Sequence, residues 1–519
     1  MDPEKDKEFG QELQASDPHL AIELDLERSS SDEETHQNDI EASRVGSRTV
    51  TRVVTAQDWT GPDDPENPHN WFIGKRIWHT IQPGLFGLAV TFGSSAFSPA
   101  VEDVAKSFHV SQTAATLGIT LYVLGLGFGP VLAAPMSETY GRRIVYWISL
   151  PISMLFTLGA GFSTNFGSLL VCRFFAGLFG SPVLGVGAGT NADLFPPRSR
   201  ANATISFLLA PFLGTSLGPL VNGFAVQAKG WKWSQWTILM LSLGIYISSL
   251  TMDETYKKTI LQKRSKRLGI APPKSILPPG FAGVKMILTI TLFRPMRMLL
   301  FEPIVLFLSL YSAFTFGVLF AFLDAFPVVF VGVYHFNLGQ LGLSFLSLAI
   351  GYILAVPTSV AVDFFVYQKK HRAAAAKGQH LLPPEERLYT AMMGSFGVTI
   401  GLFWFGWTSR ESIHWIVPMI GVVPFAWGNL CIFSASALYV IDVYGPLNGA
   451  SAMGANSLAR YALGAAFPLF TTQMYNKLGI GWASSLLGFL SLVMIPIPFV
   501  LFKWGPQIRA KSSFETVKF

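Results

Sequence analysis

Apolar and polar positions along this chain separate into long blocks rather than short amphipathic repeats. Runs of apolar residues long enough to cross a bilayer, about 20 residues, lie near 77–100, 112–135, 144–163, 166–190, 201–226, 233–252, 299–323, 340–366, 388–408, 414–440, 450–472 and 481–503. The longest interruption, about 253–298, follows the sixth run and carries Lys257, Lys258, Lys263, Arg264, Lys266 and Arg267. The pattern predicts an all-α membrane protein of twelve transmembrane helices in two six-helix halves, 71–252 and 299–505. A basic linker (253–298) joins the halves, a polar tail (1–70) precedes them and a short tail (506–519) follows.

Charge sharpens this picture. Only 13% of the 519 residues are charged and 50% are hydrophobic, against about 25% charged in soluble proteins. Of the 32 acidic residues, 18 lie before residue 76. The tail lacks the apolar periodicity needed to bury a core and is expected to be disordered, with no signal peptide. Ser29, Ser30 and Ser31 beside Asp32, Glu33 and Glu34 read first as a solvated tail, with acidic-directed phosphorylation as the alternative. Interhelical loops on the side of the termini, with the C-terminal tail, hold 23 Lys and Arg; the opposite loops hold 5, namely Lys106, Lys229, Lys232, Arg410 and Lys477. That bias places both termini in the cytoplasm. The sequon at Asn202 then faces the cytoplasm and should stay unglycosylated. The sequence pI of about 9.1 reflects loop topology, so a nucleic-acid partner is not expected. Cys172 and Cys431 fall inside apolar runs and read as small buried residues, not as a disulfide framework.

Several polar features interrupt the apolar body. Ala134-Pro-Met-Ser-Glu-Thr-Tyr-Gly-Arg-Arg143 joins the second and third runs. Gly141 permits a tight turn, Arg142 and Arg143 mark the cytoplasmic side, and Glu138 is placed to pair with an arginine or to cap a helix start. The stretch resembles the loop signature Gly-x-Leu-x-Asp-x-x-Gly-Arg-Arg/Lys of the major facilitator superfamily, with Gly141, Arg142 and Arg143 matching outright. In the fifth run, Gly214-Thr-Ser-Leu-Gly218-Pro219-Leu-Val-Asn222-Gly223 presents small residues that let another helix approach closely, and Pro219 bends it. It resembles the superfamily's antiporter signature Gly-x-x-x-Gly-Pro-x-x-Gly-Gly, with Asn222 in place of the penultimate glycine. The strings Asp64-Pro-Glu-Asn-Pro-His-Asn-Trp71, Asp253-Glu-Thr-Tyr256, Pro383-Pro-Glu-Glu-Arg-Leu388 and Ala466-Phe-Pro-Leu-Phe470 are similar to those of fungal twelve-spanner drug:proton antiporters.

That resemblance implies the major facilitator fold, no cofactor and no metal, and a monomer that binds protons and a small-molecule substrate in a lipid bilayer. It implies that Asp193, at the end of the fourth run, pairs with Arg142 or Arg143 as a gate that locks the outward-facing state and breaks on inward opening. It also places Arg173, an arginine at membrane depth, at a proton-transfer position; an interface-anchored arginine is the alternative. Asp324 and Glu302 in the seventh run are candidate proton carriers, though Glu302 is also placed as a helix-start anion. Arg460 in the eleventh run needs an acid from another helix, with Asp442 or Glu302 available. The expected function is a proton-coupled exporter of hydrophobic or amphipathic small molecules such as drugs or fungal secondary metabolites. The alternatives are a nutrient or polyamine symporter and a membrane sensor that moves nothing. The expected location is the plasma membrane, with the vacuolar membrane as the alternative. An enzyme is not expected, since no nucleotide loop, metal cluster or catalytic triad pattern is present in the sequence.

Overall fold

A computed structural model describes residues 58–270, 289–376 and 382–517. The tail before residue 58, with the Ser29–Ser31 cluster, and linker residues 271–288 lie outside the described residues, as do the side chains of Arg198, Arg200 and Asn202.

Helices fill every predicted apolar run. We label them by run: α1 Ile73–Ser95, α2 Gln112–Tyr140, α3 Arg142–Gly161, α4 in two segments Phe166–Gly180 and Pro182–Leu194, α5 Pro197–Lys229, α6 Trp233–Ser249, α7 Pro303–Phe326, α8 in two segments Leu338–Ser344 and Leu346–Val362, and α9 Tyr389–Thr408. A continuous helical stretch, Ile416–Leu478, contains α10 and α11 on either side of Gly445, whose φ of 63° turns the chain. The last, α12, comprises Ile480–Met494 and Pro496–Arg509. Among the described residues, 9 helices are long and apolar enough to cross a membrane. The others depart from the pattern for visible reasons: α6 is only 17 residues long, α9 is diluted by Gly and Thr, and α11 contains Asn456 and Arg460.

Starts and stops follow local chemistry. Ser111 and Asn165 cap α2 and α4 by accepting from backbone N–H groups three residues on, and Asn337 with Gln340 forms a reciprocal capping box at α8. Proline at residue 182 restarts α4 after Ser181, where its missing N–H is harmless.

The first half packs α1 on α5, α2 on α4, and α3 on α4 and α6. In the second half α9 packs on α10, where Gly394, Gly397 and Gly401 approach the α10 backbone. Two seams join the halves. Gly127 of α2 abuts Tyr461 of α11, and Thr120 Oγ1 donates to Ala465 O at 2.9 Å. Along the other seam, α5 meets α8, with Gly342 against the Pro219 and Leu220 carbonyls. An aromatic cluster of Phe322, Phe326, Phe405 and Phe425 fills the second half. Large apolar side chains face outward instead of into this core, Val493 at 76% exposure and Leu155 at 66% among them. Such a surface is stable only against lipid.

The tail becomes structured earlier than its composition predicts. Residues 58–71 dock on the linker helix Lys257–Leu268. Arg264, 4% exposed, forms ion pairs with Asp64 at 2.8 Å and Glu66 at 2.6 Å, and Lys257 pairs with Asp58 at 2.7 Å. Burial of Asp64 works to raise its pKa, but the Thr60 and Glu66 amides and the Arg264 guanidinium outweigh burial and hold it below its ordinary value. A depressed carboxylate contributes stability above its unfolded pKa and loses it only as pH falls through the folded value. The latch is therefore expected to persist at neutral and mildly acidic pH. Arg264→Ala leaves Asp64 without its cation while Glu66 keeps Arg267, and breaking a buried pair costs about 3–5 kcal/mol. Limited proteolysis should then cut within 58–71 in the variant and spare that stretch in the parent.

Candidate functional site

The turn between α2 and α3 is built on Gly141, whose φ of 100° suits glycine and whose Cβ would lie 2.3 Å from Glu254 Oε2. That carboxylate accepts from the amides of Arg142 at 2.8 Å and Arg143 at 3.2 Å. Glu254 therefore caps α3, one of the two roles expected of Glu138, which is exposed. The Arg142 side chain pairs with Asp193 at 3.1 Å and donates to Ser137 Oγ at 2.6 Å. Arg143 instead lies 3.8 Å over the Trp147 ring. Arg142 and Asp193 thus meet as expected, but both belong to the first half. Their pair braces the turn against α4 rather than bridging the halves, and it is intact while both inter-half seams are closed. Glu254→Gln keeps the shape and removes the charge from four amide contacts, those of Arg142, Arg143, Thr255 and Tyr256, and a hydrogen bond to a charged group is worth about 1.5–3 kcal/mol. We expect a lower melting temperature in detergent, read by tryptophan fluorescence, with Glu138→Gln close to the parent.

The second half repeats the arrangement with different residues. Arg387, just before α9, pairs with Asp363 at 3.2 Å and Asp442 at 2.9 Å and stacks 3.6 Å from the Tyr367 ring. Behind it, Arg509 pairs with Glu385 at 3.3 Å, a carboxyl whose pKa burial raises. Arg387 thus corresponds to Arg142 and Asp442 to Asp193. Sequence reasoning missed Glu254 and Arg387 as site residues, although each sits in a string it had singled out.

Arg173 is fully buried on α4. It donates to Gly118 O at 3.0 Å and, from both terminal nitrogens, to Gly93 O at 3.0 Å, between the Tyr122 and Phe97 rings. Among the described residues it holds no carboxylate; it ties α4 to α1 and α2 through backbone carbonyls.

The fifth-helix motif has two working faces. Gly214 and Gly218 lie against α1, where a Cβ would meet Thr91 Oγ1 at 2.2 Å and Ser95 Oγ at 2.1 Å respectively. Gly223 lies against α8, where a Cβ would meet Leu338 O at 2.4 Å. Asn222 points elsewhere: it donates to Gly218 O at 2.9 Å and accepts from Thr237 Oγ1 of α6 at 2.7 Å. Its face meets α6, which leaves room for a side chain where the signature has glycine. Pro219 lies inside the helix between the two faces.

The three candidate groups of the second half are not brought together. Glu302 is 1% exposed and accepts from Tyr444 at 3.0 Å, Ser512 Oγ at 2.8 Å and Ser513 N at 2.9 Å, so it anchors the C-terminal tail at the start of α7. Asp324 is 9% exposed, and its Oδ2 is buried without a hydrogen-bond partner among the described residues. It adjoins the first half, since Ser98 Oγ donates to Leu323 O at 2.9 Å. Arg460 does not find the acid expected for it: Asp442 is taken by Arg387 and Glu302 by the tail. The guanidinium lies over Phe433 at 4.1 Å, Phe316 at 4.9 Å and Tyr461 at 5.0 Å.

Comparisons with known proteins agree with this geometry. The profile of the Major Facilitator Superfamily matches residues 84–468. The chain is 41% identical over 482 residues to Polyamine transporter 4 of Saccharomyces cerevisiae, covering 88% of this chain and 73% of that protein. It is 39% identical over 461 residues to Efflux pump FUBT of Fusarium oxysporum, covering 87% and 76%. Among solved structures, the proton:xylose symporter XylE superposes with a TM-score of 0.60 at 15% identity, covering 84% of this chain and 96% of that one. That likeness speaks for the fold alone.

Proposed function

We propose, since this chain belongs to the major facilitator superfamily and to its fungal drug-efflux branch, that it is a proton-coupled exporter of hydrophobic or amphipathic small molecules. It is an integral membrane protein. In this reading both termini are cytoplasmic, the chain works as a monomer in the plasma membrane, and the halves rock about a site between them.

The observation that carries proton coupling is Asp324. A carboxylate sealed from water without a partner is unfavourable by several kcal/mol, so the group takes up a proton before it is enclosed and releases it when hydrated. Its place beside the Ser98–Leu323 contact links that event to closure of the seam between the halves. Proton capture from the outer side resets the empty carrier, and substrate binding returns it outward with Asp324 ionised. No arginine takes part in this step; Arg173 is occupied by carbonyls. The exporter reading draws on the likeness to a protein named as an efflux pump and on the α5 motif, which resembles that of antiporters.

Inside-out vesicles with an acidified lumen test the direction. An exporter accumulates its amphipathic substrate in the lumen, and a protonophore abolishes the accumulation. Depletion of substrate from vesicles under the same gradient would identify an importer instead.

A further inference from the structure

Two arginines lie buried in the membrane body, and their surroundings differ in one respect. Arg173 makes three hydrogen bonds to carbonyls. Arg460, 8% exposed, makes none among the described residues, its Nε has no acceptor, and no carboxylate lies within ion-pair distance. A buried cation without a partner is expensive. Three rings surround it, and rings supply only part of what a carboxylate would.

Orphaned polar atoms lie on the same three helices as those rings. Asn456 Oδ1, Ser312 Oγ and Ser436 Oγ are buried and have no hydrogen-bond partner among the described residues. Asn456 is four residues before Arg460 on α11. Ser312 is four before Phe316 on α7, and Ser436 is three after Phe433 on α10; both rings contact the guanidinium. Residues three or four apart share a helix face. Because α10 runs opposite to α7 and α11, each of the three lies one turn from Phe316, Phe433 or Arg460 toward the same end of the bundle, the end that holds Glu302 and Arg387.

The location is central. Phe433 meets Phe212 of α5 at 5.6 Å, and Tyr461 packs on Gly127 of α2. Arg460 therefore sits beside both lines along which the two halves meet.

We propose that Arg460, with Ser312, Ser436 and Asn456, is a substrate subsite for an anionic group, a carboxylate on an aryl or other flat amphipathic molecule. The guanidinium fork suits a carboxylate bidentately, the two serine hydroxyls and Asn456 Nδ2, not its orphaned Oδ1, can supply further donors, and Phe316, Phe433 and Tyr461 wall the flat part. A polyamine would place its charge against Arg460 and be repelled, which separates this chain's cargo from what its 41%-identical relative is named for. The inference rests on the exporter reading only in taking the ligand to be cargo.

Equilibrium binding to the purified full-length chain tests it, with tritiated 1-naphthoate as probe and 1-naphthalenemethanol, 1-naphthylmethylamine and spermidine as competitors. We expect the acid to bind about tenfold or more tightly than the alcohol, and the two amines to compete poorly. Arg460→Gln should erase the advantage of the acid over the alcohol. Asn456→Asp, which adds a carboxylate one turn away, should occupy Arg460 and weaken naphthoate binding more than it weakens binding of the alcohol. The proposal fails if the alcohol or either amine matches the acid, if no acid binding is detected, or if Asn456→Asp binds naphthoate as the parent does. No proton gradient is present, so a wrong direction of coupling would leave this result untouched.

Discussion

Gly218→Val is expected to yield no folded transporter, whereas Gly223→Val yields a folded one whose halves cannot close. These glycines lie five positions apart on α5, and they face different neighbours. At Gly218 the added Cβ would sit 2.1 Å from Ser95 Oγ and 2.8 Å from both Ala96 N and Phe92 O. Two of those atoms are backbone of α1, which cannot step aside as a side chain can. Overpacking costs about 1–3 kcal/mol even where neighbours adjust, and here α1 and α5 would have to separate along their length. Thr91 Oγ1, which donates to Pro211 O at 2.6 Å, would lose that contact between the helices and keep only the carbonyls of its own helix. At Gly223 the obstructing atoms belong to the other half: Leu338 O at 2.4 Å and Gly342 Cα at 3.1 Å. Each half keeps its own core, and the α5–α8 seam alone is held open. Size-exclusion of detergent extracts should show a monodisperse peak for Gly223→Val and none for Gly218→Val. In a chain with Cys172 and Cys431 replaced by alanine, Ser98→Cys should react with a membrane-impermeant maleimide only when Gly223→Val is present. Equal reactivity in both backgrounds would mean that this seam does not govern access.

Asp324→Asn is expected to uncouple transport from the proton gradient without stopping substrate exchange. The amide has the shape of the protonated acid, and it removes the one buried carboxyl oxygen of α7 that has no partner. One proton exchanged per substrate makes each unit of pH gradient worth about 1.4 kcal/mol, or about tenfold in concentration ratio. In proteoliposomes the parent should therefore accumulate substrate about tenfold per unit of gradient, and the variant should only equilibrate. Substrate–substrate counterflow needs no proton and should survive. Gradient-driven accumulation that persists in Asp324→Asn would move the coupling role elsewhere. Glu302 is a poor alternative, since its carboxylate already accepts three hydrogen bonds from Tyr444 and the tail.

What could be read in the sequence was local in origin. Apolar runs place helices because lipid leaves little choice, and turn chemistry at Gly141 and the small faces of Gly214 and Gly218 depend on a few adjacent residues. Partner choice across the chain was much harder to read. Glu254 reaches the α3 amides from 112 positions away, and Arg387 meets Asp442 across 55. Nothing local distinguishes those residues from surface charges. The acidic tail read as uniformly polar, yet its last residues dock because Arg264 gathers Asp64 and Glu66. Arg460 was expected to find an acid because buried charges ordinarily do, and the structure shows the two candidates, Asp442 and Glu302, engaged elsewhere. Asn222, a departure from the motif, became intelligible only once its face was seen to meet Thr237.

The most direct test is proton movement in liposomes reconstituted with the purified chain, recorded by a lumenal pH dye while an amphipathic substrate is added outside. With no imposed gradient, substrate entering down its concentration gradient should drive protons out, and the lumen should become alkaline. Asp324→Asn should show substrate movement with no pH change. Acidification of the lumen on substrate addition would mean that both move together, and it would contradict the antiport account.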